Sequence, residues 1–241
     1  MDNEKAIAII TARGGSKRIP RKNIKEFCGE PIIKYSIDAA KESGCFSEIM
    51  VSTDDFEIAK IAQKFGAKVP FMRSEKTSND FATTSDVIEE VISEYHKIGQ
   101  SFDYACCIYP TAPFISAKKL QESYDLIINT DTDSVIPVVR FGFPIQRAFK
   151  IENNKLKFMW AKNAEKRSQD LEPAYHDCGQ FYFFRTEMFL RNKEILTNNT
   201  TPLEISESEV QDIDTEEDWK IAEIKYKILK QSKGITDNER L

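Results

Sequence analysis

The stretch that decides the fold covers residues 6–23 and reads AIAIITARGGSKRIPRKN. Its first five residues, Ala6–Ile10, are all apolar, which is the pattern of a short strand covered on both faces in a parallel sheet. The residues that follow contain two adjacent glycines and several cations, and helical spacing of apolar residues begins at Ile33. A strand, a glycine-containing loop and a helix in this order predict the first unit of an α/β sheet.

The same alternation continues as far as residue 140. Apolar runs predict strands, and the amphipathic segments between them predict helices with one apolar face. The further strands are expected at Ile49–Val51, Tyr104–Tyr109, Val135–Val139 and Phe181–Phe184. A last helix is expected to begin near Thr215, where Thr215 and Asp218 have the spacing of a capping box. The pattern predicts an α/β fold with a mostly parallel, Rossmann-like sheet flanked by helices.

The alternation of strands and helices breaks after Arg140. Residues 141–179 contain many aromatic side chains, an Asn153-Asn154 turn signal and a charged stretch without a helical face. This pattern predicts a small inserted hairpin-and-loop element. We expect residues 1–140 and 180–241 to form a single α/β domain around this insertion.

The overall charge is acidic, but the cations are unevenly distributed. The 241 residues include 34 Lys+Arg and 39 Asp+Glu, which gives a formal net charge of -5 at pH 7. From Lys5 to Lys25 there is no acid, and seven cations lie there. An acidic chain argues against general nucleic-acid binding, whereas a local cluster of cations predicts an anion site.

Cysteine and histidine content bears on the compartment and on metals. The five cysteines form no CxxC pair, which fits a reducing cytoplasm. Two histidines are too few for a His-rich zinc site. The sequence shows no signal-peptide pattern and no apolar run of membrane-spanning length, so we expect a cytoplasmic protein without a membrane partner.

The loop at residues 11–23 has the composition of a phosphate-binding loop. Gly14 and Gly15 allow the backbone to approach a ligand with its N–H groups, and Ser16 adds a hydroxyl. The cations among these residues, Arg13, Lys17, Arg18, Arg21 and Lys22, suit a polyphosphate. Because no GK[ST] follows the glycines and GxGxxG is absent, the loop is neither a Walker A loop nor a dinucleotide fingerprint. The alternative is a solvated basic loop.

A pair of carboxylates lies near the other end of the chain. Asp212 and Asp214 alternate around Ile213, and in a strand they would share one face. Two such carboxylates suit a hard divalent cation, and a triphosphate normally arrives with Mg²⁺. The alternative is that Asp214 helps to cap the following helix while Asp212 is solvated.

Longer motifs resemble a known family. The opening IAIITARGGSKRIPRKNIKEFCGEPIIKYSI, followed by VSTDD at 51–55, FMRSEKTSND at 71–80, YPTAPF at 109–114 and QDIDTEEDW at 211–219, resembles the CMP-sialic acid synthetase family of cytidylyltransferases. The stretches YACCIYPTAPF, FGFPIQRAF at 141–149 and YHDCGQFYFF at 175–184 resemble its pseudaminic acid branch. The resemblance implies a nucleotidyltransferase sheet with a dimerisation element at the insertion.

The resemblance also implies site residues. The positions matched to nucleotide contacts are Arg13, Gly14, Gly15, Ser16, Lys22, Asn23, Arg73, Asp80 and Thr84, with Arg73 toward the cytosine. Lys22, Asp212 and Asp214 match catalytic positions, and the two aspartates match the metal ligands. The positions expected to contact the sugar are Tyr109, His176, Asp177 and Gln180, for which packing roles are the alternative. Tyr109 lies where the sialic acid enzymes tend to have a glutamine, which agrees with a less polar sugar such as a 9-deoxy nonulosonate.

The implied reaction is the Mg²⁺-dependent joining of CTP to a nine-carbon sugar acid, with release of pyrophosphate, for surface glycan or flagellin glycosylation. A homodimer is expected, since related enzymes complete the sugar pocket with the partner's insertion. The sequence shows no general base, and His176 is a candidate by residue type alone. Legionaminic, neuraminic and deoxyoctulosonic acids remain alternative substrates, and a nucleotide- or RNA-binding module without catalysis is the alternative of another class.

Overall fold

The computed structural model describes residues 4–232 and residue 234. Within these residues the chain forms eleven strands and seven α-helices. The strands are β1 (Ala6–Thr11), β2 (Glu26–Phe27), β3 (Glu30–Pro31), β4 (Glu48–Ser52), β5 (Tyr104–Ile108), β6 (Ser134–Arg140), β7 (Phe149–Glu152), β8 (Lys155–Phe158), β9 (Tyr175–Asp177), β10 (Phe181–Arg185) and β11 (Thr200–Glu204). The helices are α1 (Ile32–Ser43), α2 (Phe56–Lys64), α3 (Glu75–Ser78), α4 (Thr84–Lys97), α5 (Ala117–Asn129), α6 (Thr186–Asn192) and α7 (Glu216–Ser232). None of the helices in the described part of the chain combines the length and apolar character needed to cross a membrane.

One seven-stranded sheet organises the molecule. Its order is β11-β6-β10-β5-β1-β4, and β9 pairs with β6 beside this path. Strand β1 is parallel to β4 and β5, and β11 is parallel to β6. Strand β10 is antiparallel to both of its neighbours, β5 and β6. The predicted α/β fold with a mostly parallel sheet is confirmed, with β10 reversed in the middle of it.

The first strand is covered on both faces, as its uninterrupted apolar sequence predicts. Ala8 and Ile10 face one layer, which includes Ile33 of α1 and Leu120 of α5. Ile7 and Ile9 face the opposite layer, which is built largely from α4 and α6. Both faces of β1 are therefore buried, and the loop after it starts from a rigid position.

Capping residues fix where several helices begin and end. Gly44 adopts a left-handed conformation and ends α1, as its place in the sequence predicts. Asp55 caps α2 by accepting from the amides of Glu57 and Ile58. The expected capping box of α7 is present, because Thr215 and Asp218 each accept a bond from the other's backbone amide.

Two elements have sequence patterns too weak for their secondary structure to be predicted. Strand β11 reads TTPLE and lies at the edge of the sheet, where Pro202 costs no hydrogen bond inside the ladder. Helix α6 has only seven residues and follows β10 without a break. Short elements of this kind are set by tertiary packing more than by local sequence.

The insertion contains the expected hairpin. Strands β7 and β8 pair in antiparallel register, and Asn153 and Asn154 between them both have positive φ, as a type I′ turn requires. The chain then returns to the main sheet through β9, which pairs with β6 before the insertion ends. The division of the chain into one domain and an insertion over 141–179 stays a prediction.

Candidate active site

The order of the strands in the sheet marks a place where a ligand is expected to bind. Strand β1 lies between β5 and β4, and the carboxyl ends of these three parallel strands meet at one edge. Ligands of open α/β sheets bind outside this edge, at the strand from which the connections diverge. The glycine-containing loop follows β1 and therefore lies in the expected position.

Hydrogen bonds within the loop at residues 11–23, and one to Asp54 outside it, fix the conformation of this loop. The Gly14 amide donates to Asp54 Oδ1 at 2.8 Å, and the Ser16 amide donates to the Gly14 carbonyl at 3.0 Å. The amide side chain of Asn23 is buried and donates to the Arg13 carbonyl at 2.8 Å. Asn23 thus holds the two ends of the loop together.

The cations of the loop are paired with carboxylates from distant segments. Arg13 Nη1 lies 3.1 Å from Asp80 Oδ1, and Lys17 bonds the other oxygen of the same carboxylate. Arg18 Nη2 lies 2.8 Å from Asp214 Oδ1. Since these side chains are substantially exposed, each pair contributes little stability and is easily exchanged for a phosphate. Asp80 therefore meets Arg13 and Lys17, while Asp214 meets Arg18.

Lys22 is less exposed than the other cations of the cluster. Its side chain is 20% exposed, and Nζ donates to the Ile213 carbonyl at 2.7 Å. Asp214 Oδ1 lies 3.7 Å from the same nitrogen. Lys22 therefore connects the glycine loop to the segment that carries the aspartate pair.

The contacts of Arg21 differ from those expected of a phosphate-binding cation. Its backbone adopts a left-handed conformation, and its guanidinium binds Asp55 through two nitrogens while one of them also contacts Glu57. The Arg21 guanidinium holds the pKa of the Asp55 carboxyl down to about 2. Arg21 thus anchors the loop to the start of α2, and the phosphate-facing role suggested by its position in the loop is not supported by these contacts.

The ion pair of Asp55 makes a prediction about acid stability. Its pKa is about 2 in the folded state and about 3.9 when unfolded, so the unfolded chain takes up the proton first as pH falls. The stabilisation is complete above about pH 4 and is lost as pH falls toward about 2. Asp55→Asn keeps a capping side chain but removes the charge. We expect the difference in free energy of unfolding between wild type and D55N to be constant near neutrality and to shrink below about pH 4. Urea titrations at several pH values measure this difference. A difference that stays constant down to about pH 3 would contradict the low pKa of Asp55.

The two glycines differ in their surroundings, which makes a second prediction. A Cβ on Gly14 would lie 3.0 Å from both Cβ and Oδ2 of Asp55, whereas a Cβ on Gly15 meets nothing within 4 Å. Gly14→Ala should therefore destabilise the fold. Each kcal/mol lost from the free energy of unfolding should lower the thermal midpoint by about 2–4 °C. Gly15→Ala should leave the midpoint unchanged but raise the KM for CTP about tenfold, if phosphates approach this backbone. Thermal melts and CTP titrations check both, and equal midpoints for the two variants would refute the packing argument.

Arg73 places a buried charge beside the loop. Arg73 is 8% exposed, and its guanidinium donates to Ser52 Oγ at 3.0 Å and to the Ser52 carbonyl at 2.7 Å. Burial lowers the pKa of this guanidinium, and no carboxylate lies within ion-pair distance of it among residues 4–232. A buried cation held at the carboxyl end of β4 is suited to a polar or anionic part of a ligand.

The residues expected to contact a sugar are partly brought together. Tyr109 follows β5, and its amide donates to the Gln180 carbonyl at 2.9 Å. Asp177 accepts from the Tyr182 hydroxyl at 2.6 Å. The Tyr109 and Tyr182 rings meet edge to face with centroids 5.6 Å apart, so Tyr109, Asp177 and Tyr182 form one cluster.

Thr84, which is expected to contact the nucleotide, lies beside this cluster. It is the first residue of α4, after the cap Thr83. Burial raises the pKa of the Tyr109 phenol, and the neighbouring hydroxyls of Thr84 and Tyr182 oppose that rise. Thr84 and Asp177, which were assigned to different ligands, therefore lie at opposite ends of one polar cluster.

Two other residues expected in the sugar site have different surroundings. The Gln180 side chain is buried and donates to the Glu209 carbonyl at 2.7 Å, which supports the packing alternative. His176 is exposed on β9, where its ring lies 4.8 Å from that of Phe141. The stretch YHDCGQFYFF includes Tyr182 but gave it no role of its own; a tyrosine inside the buried strand FYFF needs a partner for its hydroxyl, and this was the available signal.

The aspartate pair lies in a loop and not in a strand. The expectation of strand geometry at 210–214 is wrong: in the described structure these residues join no ladder and lead directly into α7. Ile213 is 1% exposed and packs with Trp219, because it belongs to the apolar cluster under α7. Asp212 remains exposed, and the Asp214 carboxylate faces Arg18 while Asp218 caps the helix.

The donor chemistry fits magnesium only if a ligand contributes. Within the described residues, no group of three or more His, Cys, Asp or Glu side chains is placed to hold a metal ion. Mg²⁺ is usually bound by one or two carboxylates together with phosphate oxygens and water. Asp212 and Asp214 are donors of the kind that fits this arrangement, and Asp214 would have to exchange Arg18 for the metal.

Comparison with known proteins identifies the family of this chain. The sequence profile described as Cytidylyltransferase matches residues 7–238. The pseudaminic acid cytidylyltransferase of Campylobacter jejuni is 41% identical over 95% of this chain and 99% of its own. The CMP-N,N'-diacetyllegionaminic acid synthase of Legionella pneumophila is 33% identical over 90% of this chain and 94% of its own. A structure of CMP:2-keto-3-deoxy-manno-octonic acid synthetase complexed with CTP has the same fold, with a TM-score of 0.69 at 18% identity over 95% of this chain and 100% of that one. The fold, the loop after β1 and these full-length similarities show that the chain belongs to the cytidylyltransferase family and is a nucleotidyltransferase.

Proposed function

We propose that the protein joins CTP to pseudaminic acid and releases pyrophosphate, giving CMP-pseudaminic acid for glycosylation of surface glycans or flagellin. The observation that carries this choice is the 41% identity to an enzyme of that name, over nearly the full length of both chains. The identity to the legionaminic acid synthase is lower, at 33%. Tyr109 at a position where sialic acid enzymes tend to have a glutamine supports the same choice.

The cleft supplies the charge that this reaction needs. The anomeric oxygen of the sugar acid forms a bond to the α-phosphorus, the bond from that phosphorus to the α–β bridging oxygen breaks so that pyrophosphate leaves, and the hydroxyl proton passes to solvent. Arg13, Lys17 and Arg18 neutralise the triphosphate by exchanging their carboxylate partners for phosphate oxygens. Lys22, whose Nζ is held by the Ile213 carbonyl, stabilises charge near the α-phosphate. Positioning and electrostatic stabilisation are the main sources of rate enhancement in such transfers.

Asp212 and Asp214 are the residues that would hold Mg²⁺. If they held it, the ion would supply positive charge next to the triphosphate and would polarise a phosphoryl oxygen. The two side chains contribute hard oxygen ligands, and Ile213 between them fixes the loop by its burial.

The insertion supports a homodimer. Large apolar side chains remain exposed on it, including Phe143 at 86%, Ile151 at 75% and Leu156 at 64%. A patch of this kind on a small element marks an interaction surface, and a second copy of the chain is the partner that we propose. Light scattering should give the mass of two chains, and Leu156→Asp should shift it toward one. A monomeric wild type at working concentration would refute the homodimer.

A substrate panel tests the proposed reaction. CTP and Mg²⁺ are supplied with pseudaminic, legionaminic, N-acetylneuraminic or deoxyoctulosonic acid, and the CMP-sugar is identified by mass spectrometry. We expect the highest kcat/KM for pseudaminic acid and no pyrophosphate release without a sugar acid. A preference for another acid would correct the substrate, and no release with any acid would favour a binding module. We also propose a cytoplasmic location, which is supported by cysteines that form no disulfide in the described part of the chain.

A further inference from the structure

The aspartate segment, residues 210–214, is held by neither a sheet nor a helix. In the described structure it joins no ladder, and it leads directly into α7. Val210 is buried in the main apolar core, and Ile213 is buried under α7. Because apolar burial has no direction, these two side chains anchor the segment without setting the orientation of its peptides.

The position of the Asp212 carboxylate depends on that backbone. Asp212 is exposed, and among the residues that the structure describes its carboxylate has no hydrogen-bond or ion-pair partner. The Asp214 carboxylate, in contrast, meets Arg18 and Lys22. A group that fixes the carbonyls just before Asp212 therefore decides whether the two carboxylates can reach one ligand together.

Two side chains from distant elements hold these carbonyls. The buried amide of Gln180, the residue before β10, donates to the Glu209 carbonyl at 2.7 Å. The ammonium of Lys225 on α7 donates to the Val210 carbonyl. Each peptide is planar, so holding two consecutive carbonyls constrains the backbone between them. The segment is thereby oriented from the sheet and from the helix at the same time.

Both donors are themselves held in place. The carbonyl of Gln180 accepts from the Tyr109 amide at 2.9 Å, which ties Gln180 to the carboxyl end of β5. Lys225 is half-buried, and burial lowers its pKa, while the charge of Glu207 opposes this lowering only in part. A lysine that is partly desolvated and bonded to a neutral carbonyl is suited to hold the backbone at that point.

We propose that Gln180 and Lys225 are positioning residues that hold the aspartate segment so that Asp212 and Asp214 together receive Mg²⁺ with CTP. The proposal rests on the proposed function and adds two residues that act on the metal without touching it. Groups that orient metal ligands from outside the ligand shell typically change metal affinity about 10- to 100-fold. Gln180 thus has a role different from the sugar contact expected from the sequence.

The test measures what the metal contributes to CTP binding, without turnover. Calorimetry gives the Kd of CTP in EDTA and in saturating Mg²⁺, with no sugar acid present, and the first value divided by the second is the metal ratio. Lys225→Met and Gln180→Met remove the donors with little change in side-chain length. Each should lower the metal ratio about tenfold and leave the Kd in EDTA within about twofold, because the cations of the glycine loop remain.

Two further variants separate the donated bond from charge and from stability. Lys225→Arg keeps a donor and should retain most of the metal ratio. Lys227→Met is the matched control, since it removes an exposed lysine from the same helix. A purely structural role of Lys225 predicts a lower thermal midpoint for K225M with the metal ratio of K227M, and this result would refute the positioning role.

The outcomes distinguish this inference from the proposed function. A wild type that gives no CMP-sugar in the substrate panel refutes the proposed function, whatever the metal ratios are. A wild type with a metal ratio of 1 overturns the positioning role, because no metal then supports CTP binding. A wild type with a ratio well above 1, and with K225M and Q180M equal to K227M, refutes the positioning role alone. If thermal melts show that Q180M is unfolded, the pair K225M and K225R decides, since equal ratios in these two would mean that the bond to the Val210 carbonyl has no effect on the metal.

Discussion

Asp214→Asn is expected to lower kcat at least about 1000-fold without unfolding the protein. Asp214 is the half-buried member of the aspartate pair, and its carboxylate already faces two cations, Arg18 at 2.8 Å and Lys22 at 3.7 Å. Asparagine keeps an oxygen that accepts from Arg18, so the loop can retain its position. It removes the negative charge that a divalent cation requires.

A matched control for D214N lies two residues away. Glu216 also pairs with a cation, Lys25, at 2.6 Å, but it belongs to the first turn of α7. Glu216→Gln should change kcat less than about twofold, since exposed ion pairs contribute little. Pyrophosphate release at increasing Mg²⁺ and a thermal melt of each variant make the comparison. Full activity of D214N at the Mg²⁺ concentration that saturates wild type would remove Asp214 from the metal site.

The parts of the fold that follow from sequence are those in which local pattern and tertiary packing agree. The run Ala6–Ile10 is buried on both faces, so its apolar pattern has one explanation. The end of α1 at Gly44 is equally local, because a left-handed residue stops a helix. The direction of β10 has no such signal, since FYFF is apolar in either orientation and only its partners β5 and β6 make it antiparallel.

In the candidate site, the partners of the charged residues could likewise not be predicted from the sequence. In sequence, Arg18 and Arg21 are equivalent cations of one loop, and only the fold gives Arg18 the partner Asp214 and Arg21 the partner Asp55. The exchangeable cation and the anchor are distinguished by which carboxylate each meets, and those carboxylates lie far away in the chain. Long-range pairing of this kind is absent from any local pattern.

Lys22→Met is expected to lower kcat/KM for CTP about 100- to 1000-fold, mostly through kcat. Among the cations that bond the aspartate segment, Lys22 is the least exposed, and its Nζ is fixed by the Ile213 carbonyl at 2.7 Å. A charge held in place before the reaction stabilises the transition state more than a mobile surface charge does. Methionine keeps the apolar stem of the side chain and removes only the donor and its charge.

Lys25→Met shows whether the effect belongs to Lys22 or to any cation of this loop. Lys25 lies three residues away, pairs with Glu216 and sits over the Trp219 ring at 4.6 Å, so its loss should lower stability by up to about 1 kcal/mol. Its kcat/KM should stay within about twofold of wild type, because its charge is used outside the cleft. Equal losses of activity in K22M and K25M would mean that the loop acts through its total charge. If K22M raises only the KM, Lys22 binds CTP equally in the ground state and in the transition state. The catalytic role of Lys22 would then be refuted.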